Sequence, residues 1–309
     1  MTSVFVDGAH GTTGLEIRDR LSGRGDIGLI EIDEALRRDP RARREAINDA
    51  DIAILCLPDD AARDAVSLIN NDRTCVIDAS TAHRTSDNWV FGFHEIDPDG
   101  LDRIRTAKRI SNPGCYSTGF LALVKPLVRA GLIPPDWPLT VNAVSGYSGG
   151  GKAMIEEFET GNADTAWRTY ALGLAHKHVP EMQRHAGLVH APLFAPSVAR
   201  TYRGMIVDVP LMIGAMPGKP SANAIRTVLA DLYATSPIIA LLHDFDEANL
   251  TIESAANTDR LDLFVFSNAA GDQVRLVAAL DNLGKGAAGA AVQTLNILAG
   301  LSEVEGLRL

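Results

Sequence analysis

Apolar residues in the first third of the chain fall in short continuous runs, each followed by a stretch with helical spacing. VFVD (4–7) leads through GAHGTTG into LEIRDRL, and GLIEID (28–33) reads as a second strand. DIAILCLP (51–58) is apolar throughout, the pattern of a strand covered on both faces, and CVIDAS (75–80) is a further buried strand. DAARDAVSLINN between them has the period of a helix. Such alternation predicts an α/β fold with a doubly wound parallel sheet. Beyond Cys115 the pattern changes. PLTVNAVSGYSGGG, MIVDVPLMIG, TIESAA and LDLFVFSNAAGDQVRLVAALD are alternating runs joined by turns, which predicts a second, α+β domain with a mixed or antiparallel sheet. The tail GKGAAGAAVQTLNILAGL (284–301) is again helical, with small residues on one face.

Composition narrows the possible partners. The 309 residues are 46% hydrophobic and 22% charged, enough apolar material for sizeable cores in one large or two ordinary domains. A formal net charge of -10 argues against nucleic acid or an anionic membrane surface as the main partner. No run of about 18 uninterrupted apolar residues exists, so no membrane span is expected. The opening MTSVFVDGAHG lacks a basic segment followed by a long apolar core, so no signal peptide is expected. Three cysteines are too few for a disulfide framework and fit a reducing, cytoplasmic setting.

GAHGTTG sets Gly8, Gly11 and Gly14 between a strand and a helix, with Thr12 and Thr13 at the helix start. Glycine at these positions permits a tight turn, close approach of backbone N–H groups to a pyrophosphate, and tight helix–strand packing. The first domain is therefore read as Rossmann-like and dinucleotide-binding, with Gly8, Gly11, Thr12, Thr13 and Gly14 at the cofactor. Asp33, at the end of the predicted second strand, suits the ribose hydroxyls of NAD, whereas RRDPRARR (37–44) offers five arginines to a 2′-phosphate. Local chemistry leaves NAD and NADP both open. His10, inside the loop, is expected near phosphates rather than in chemistry.

Cys56 and Cys75 sit in apolar runs and read as inert core thiols. Cys115 follows Pro113 and Gly114 and precedes GFLALVKPLV, so it is predicted in the first turn of a helix. There the positive end of the macrodipole favours a thiolate, and unpaired N–H donors can hold an oxyanion. A cysteine nucleophile needs a proton partner. LAHKHVPEMQRH (174–185) supplies His176 and His178, either of which could exchange protons while Glu181 orients its other nitrogen. No cysteine or carboxylate cluster accompanies H-x-H, so no metal is expected. SGYSGGGK (145–152) can present backbone donors and Lys152 to an anion, though its spacing is not that of a phosphate-binding P-loop. DASTAHRT (78–85) puts Ser80 and Arg84 after a parallel strand, where Arg84 can clamp a phosphate or carboxylate.

GAHGTTG, SNPGCYSTG, HKHVPE and DNLGKGAAGAAVQTLNIL together resemble the N-acetyl-gamma-glutamyl-phosphate reductases, in their shorter branch, over nearly the whole chain. The resemblance implies NADPH-dependent reduction of an acyl phosphate to N-acetyl-glutamate 5-semialdehyde in arginine biosynthesis. It implies Cys115 as nucleophile, His178 as acid/base with His176 and Glu181 beside it, and Asn282 and Gly284 near the nicotinamide. Arg84, Lys152 and His176 are the candidates for holding substrate. The resemblance also implies a homo-oligomer, dimer or tetramer, and a C-terminal helix that rejoins the nucleotide domain. The domains are then 1–115 with 284–309, and 116–283. Asp33 departs from an NADP site, but the family points to NADP. The rival readings are a sister reductase of aspartyl or carrier-linked aminoadipyl phosphate, a cysteine acyl hydrolase without hydride transfer, and a nucleotide sensor.

Overall fold

The computed structural model describes residues 1–161, 163–243 and 249–309. They divide into two compact units: residues 1–94, 98–113 and 287–307, and residues 95–97, 114–286 and 308–309.

The first unit is built on six parallel strands, β1 (Thr2–Asp7), β2 (Ile27–Ile30), β3 (Ile52–Leu55), β4 (Cys75–Asp78), β5 (Val90–Phe91) and β6 (Arg109–Ser111). Their order is β2-β1-β3-β4-β6-β5. Helices α1 (Thr12–Leu21), α2 (Pro40–Asp49), α3 (Asp59–Ser67) and α4 (Gly100–Thr106) alternate with them. The central strands are apolar along most of their length because both faces are covered. Val4, Val6, Ile52, Ile54 and Ile77 pack with Ile17 and Leu21 of α1 on one face. Phe5, Ala53, Leu55 and Val76 pack with Ala46 and Ile47 of α2 and Ala62 and Ala65 of α3 on the other. The C-terminal helix Gly289–Leu298 joins the first face through Ala291, Val292 and Leu295.

The second unit has strands β7 (Thr140–Gly146), β8 (Trp167–Thr169), β9 (Leu193–Ala199), β10 (Met205–Leu211), β11 (Ile239–Leu241), β12 (Leu261–Ser267) and β13 (Val274–Leu280). They form one mixed sheet in the order β11-β12-β13-β10-β7-β9-β8, parallel at β7–β9 and β11–β12 and antiparallel elsewhere. Its helices are α5 (Cys115–Arg129), α6 (Gly151–Glu159), α7 (Val179–Ala186) and α8 (Ala222–Tyr233). α5 lies directly on the sheet, since a Cβ at Gly119 would approach Val207 of β10 to 2.8 Å.

Three sequence expectations change. GLIEID is a strand only to Ile30, because Asp33 turns the chain by accepting the Ala35 N–H at 2.9 Å and capping the 3-10 turn Glu34–Leu36. TIESAA (251–256) is a series of turns, not a strand. Ser254 Oγ there donates back to Thr251 O at 2.8 Å, the local side-chain bonding that competes with a sheet ladder. PLTVNAVSGYSGGG is a strand only from Thr140 to Gly146. Its end forms a 3-10 turn, Tyr147–Gly150, that runs into α6.

Candidate active site

In the first unit, Gly8 has φ +84° and a Cβ there would overlap the Cys56 carbonyl, while a Cβ at Gly14 would overlap that of Gly8. Both positions therefore require glycine for the turn itself. Gly11 is the N-cap of α1 and contributes no side-chain bond. The helix starts at Thr12 with no acidic residue in its first turn, leaving its N–H groups for an anion. At the end of β6, Asn112 Nδ2 donates to Ala287 O at 3.0 Å, while its Oδ1 is buried without a partner among the described residues. A glycine cradle that a Cβ would fill and an unmatched buried acceptor on one sheet edge fit a dinucleotide. In the arginine-rich segment after β2, Arg43 pairs with Asp7 at 2.7 Å and Arg37 with Glu34 at 3.2 Å. Arg38, Arg41 and Arg44 are exposed and form no ion pair among the described residues. Arg84 is buried, with Nη2 donating to Ala79 O at 3.1 Å.

In the second unit, Cys115 is the first residue of α5 behind the N-cap Gly114. The break in the sequence at Pro-Gly sets this start, since glycine at the cap leaves the thiol at the helix mouth. Glu181 is buried on α7, and its Oε2 accepts the Gly114 N–H at 3.1 Å. Its Oε1 stands 3.9 Å from His178 Nε2, longer than a hydrogen bond. Glu181 thus holds the start of the cysteine helix in addition to facing the histidine. The His178 backbone N–H donates to Nδ1 of His176 at 3.1 Å, which leaves His176 its proton on Nε2. The two rings meet edge to face at 4.7 Å, and both adjoin Tyr116 at 5.7 Å.

Several site features were not singled out from sequence. Tyr170 O–H donates to Tyr116 Oη at 3.0 Å, and Tyr116 O–H to Ser197 O at 3.2 Å. Burial first, with the nearby charge of Cys115, pushes the Tyr170 phenol up to about 12 against the opposing effect of Tyr116. Both phenols stay protonated as donors. The turn Gly284–Ala288 is π-helical and passes against Cys115, for a Cβ at Gly286 would stand 2.9 Å from that of Cys115. Its Lys285 is buried and pairs with Glu95 at 2.6 Å. DNLGKG carried the only sequence signal for this turn, and no local pattern links Lys285 to a partner 190 residues away.

Asn282 and Gly284 also have structural roles. Asn282 donates to Ser148 Oγ at 2.8 Å and accepts the Gly204 N–H at 3.0 Å, so its amide braces the 3-10 turn before α6. At Gly284 a Cβ would overlap the Thr258 carbonyl, a packing reason for that glycine. Lys152 is exposed on the first turn of α6. Cys56 is no strand residue, sitting just past β3, and burial pushes its thiol up to about 12, with Asp78 and Asp7 adding to it. The described residues contain no group of three or more metal-ligating side chains and no helix long and apolar enough to cross a membrane.

Residues 29–104 match the semialdehyde dehydrogenase NAD binding domain, and residues 115–282 match the semialdehyde dehydrogenase dimerisation domain. The architecture is shared with solved structures. Aspartate semialdehyde dehydrogenase II of Vibrio cholerae, complexed with ASA, superposes with TM-score 0.69 at 18% identity over 97% of this chain and 98% of that one. The Candida albicans enzyme with NADP gives 0.66 at 13% over 97% and 99%. Fold and domains define an oxidoreductase of the semialdehyde dehydrogenase class that uses a nicotinamide nucleotide. Within that class, N-acetyl-gamma-glutamyl-phosphate reductase 2 of Pseudomonas putida is 48% identical over 98% of each chain. The Rhizobium meliloti N-acetyl-gamma-glutamyl-phosphate reductase is 48% identical over 96% of this chain and 98% of its own. The chain belongs to the N-acetyl-gamma-glutamyl-phosphate reductase family.

Proposed function

We propose that this enzyme reduces N-acetyl-gamma-glutamyl phosphate to N-acetyl-glutamate 5-semialdehyde and phosphate, in arginine biosynthesis, with NADPH as reductant. The single observation that supports the mechanism is Cys115 at the start of α5, whose cap Gly114 is held by the same Glu181 that faces His178. The Cys115 thiolate attacks the acyl carbon and expels phosphate, leaving a thioester on Sγ. NADPH, when bound, supplies the hydride that makes this carbon an aldehyde carbon. His178 gives a proton to the oxygen of that carbon and takes it back as the C–S bond breaks and the thiolate returns. N–H groups of the first turn of α5 face the developing negative charge. Glu181 holds the cap at Gly114, and the Tyr170–Tyr116 pair keeps the residue after the nucleophile in place.

NADP is favoured over NAD by the capping role of Asp33 and by the uncommitted cations Arg38, Arg41 and Arg44. Arg84 and Lys152 are the candidate anion holders for substrate. Operation as a homo-oligomer fits the dimerisation-domain match. The reverse reaction tests the assignment: phosphate with N-acetylglutamate or aspartate semialdehyde, each with NADP or NAD. The N-acetylated substrate with NADP should be oxidised at least tenfold more efficiently than any other pairing. Preference for aspartate semialdehyde would move the enzyme to its sister activity.

A further inference from the structure

A second carboxylate–histidine pair lies in the first unit, apart from His178. Asp78, fully buried at the end of β4, accepts from Ser80 N at 2.9 Å and from Ser80 Oγ at 2.8 Å. Its Oδ2 also meets His83 Nδ1 at 2.6 Å. With Nδ1 donating to this carboxylate, the neutral tautomer of the ring has its acceptor at Nε2. The ring cannot swing away, because it is stacked on Trp89 with centroids 4.0 Å apart. No partner of Nε2 occurs among the described residues. The orphaned acceptor Asn112 Oδ1 belongs to the same edge, where Asn112 N–H donates to Asp78 O at 2.7 Å.

Two fixed acceptors on one edge call for a ligand with hydrogen-bond donors. The sheet order says which. In a dinucleotide fold the adenine-side ribose lies at the end of β2, one strand to one side of the phosphate loop after β1. The other half of the molecule must then run the opposite way, across β3 towards β4. With parallel strands about 4.8 Å apart, the end of β4 is about 10 Å from that of β1, within reach of the nicotinamide riboside. We propose that His83, fixed by Asp78, is a cofactor-binding residue whose Nε2 accepts from the nicotinamide-riboside half, beside Asn112 Oδ1. This rests on the nicotinamide-nucleotide reading of the glycine loop.

Titration calorimetry on the full chain separates the two. His83→Phe keeps a ring against Trp89 and removes both nitrogens. It should weaken NADPH about fivefold or more, the worth of one hydrogen bond, while adenosine 2′,5′-bisphosphate, which lacks the nicotinamide half, binds as to wild type. His83→Gln, which restores an acceptor, should recover part of the loss and serves alone if the Phe variant does not fold. Wild-type NADPH affinity in the His83 variants would overturn the assignment, as would equal weakening of both ligands. Failure of the wild type to bind either ligand would instead overturn the nucleotide reading beneath it.

Discussion

Cys115 and Cys56 show how placement sorts identical side chains. Burial raises Cys56 to about 12, so below that pH it is a protonated thiol, and only far into alkali would it become reactive. Iodoacetamide at pH 8 should therefore modify Cys115 while Cys56 stays unlabelled, as peptide mass spectrometry would show. Comparable labelling of Cys56 would contradict this environment. His178→Asn should lower kcat about a hundredfold or more. A larger loss in His176→Asn would exchange the two roles, even though His176 Nδ1 already accepts from the backbone of His178. Cys115 was legible because Pro113 and Gly114 mark a helix start in the sequence itself. Glu181 was legible only as a neighbour of His178. Its bond to Gly114 spans 67 residues and depends on how α7 meets α5, which no local pattern encodes.

At the level of elements, β1 to β4 could be read because burial on both faces writes a nearly unbroken apolar run, whereas the short β5 and β6, two and three residues long, carry too little pattern to be read. Asp33 and TIESAA were misread because their short polar side chains bond locally. The tail was read as one helix, yet its first turn is π-helical around Gly284–Ala288 and only then α-helical. The buried Lys285–Glu95 pair ties that turn down. Lys285→Met should cost about 3–5 kcal/mol in urea unfolding by leaving a buried carboxylate unpaired, whereas Lys285→Met with Glu95→Leu should return close to wild type. Equal destabilisation in the single and double variants would show that the charge pairing is not what matters there. Gly286→Ala would push a methyl group against Cys115 and should reduce kcat at least tenfold with nucleotide affinity unchanged. Weakened nucleotide affinity in that variant would mean the turn serves the cofactor rather than the thiol.

For the whole molecule, the proposed covalent reduction draws on a nucleotide-type parallel sheet and on a mixed sheet carrying a cysteine helix. Thioesters accept hydride more readily than carboxylates, so in the proposed mechanism the chain's main contribution is to hold the acyl group on sulfur. That division of labour was visible in sequence as a change from strand–helix alternation to long alternating strands near Cys115. The two kinds of sheet could be read from that change, but the groups around Cys115 could not, since they come from separated stretches. The central claim is the thioacyl enzyme. Mixing wild type with N-acetyl-gamma-glutamyl phosphate without NADPH, then quenching in acid for intact and peptide mass spectrometry, tests it directly. The account predicts one N-acetylglutamyl group on Cys115, one phosphate released per site, and neither in Cys115→Ser. Rapid reduction on adding NADPH with no such adduct, or an adduct on another residue, would contradict it.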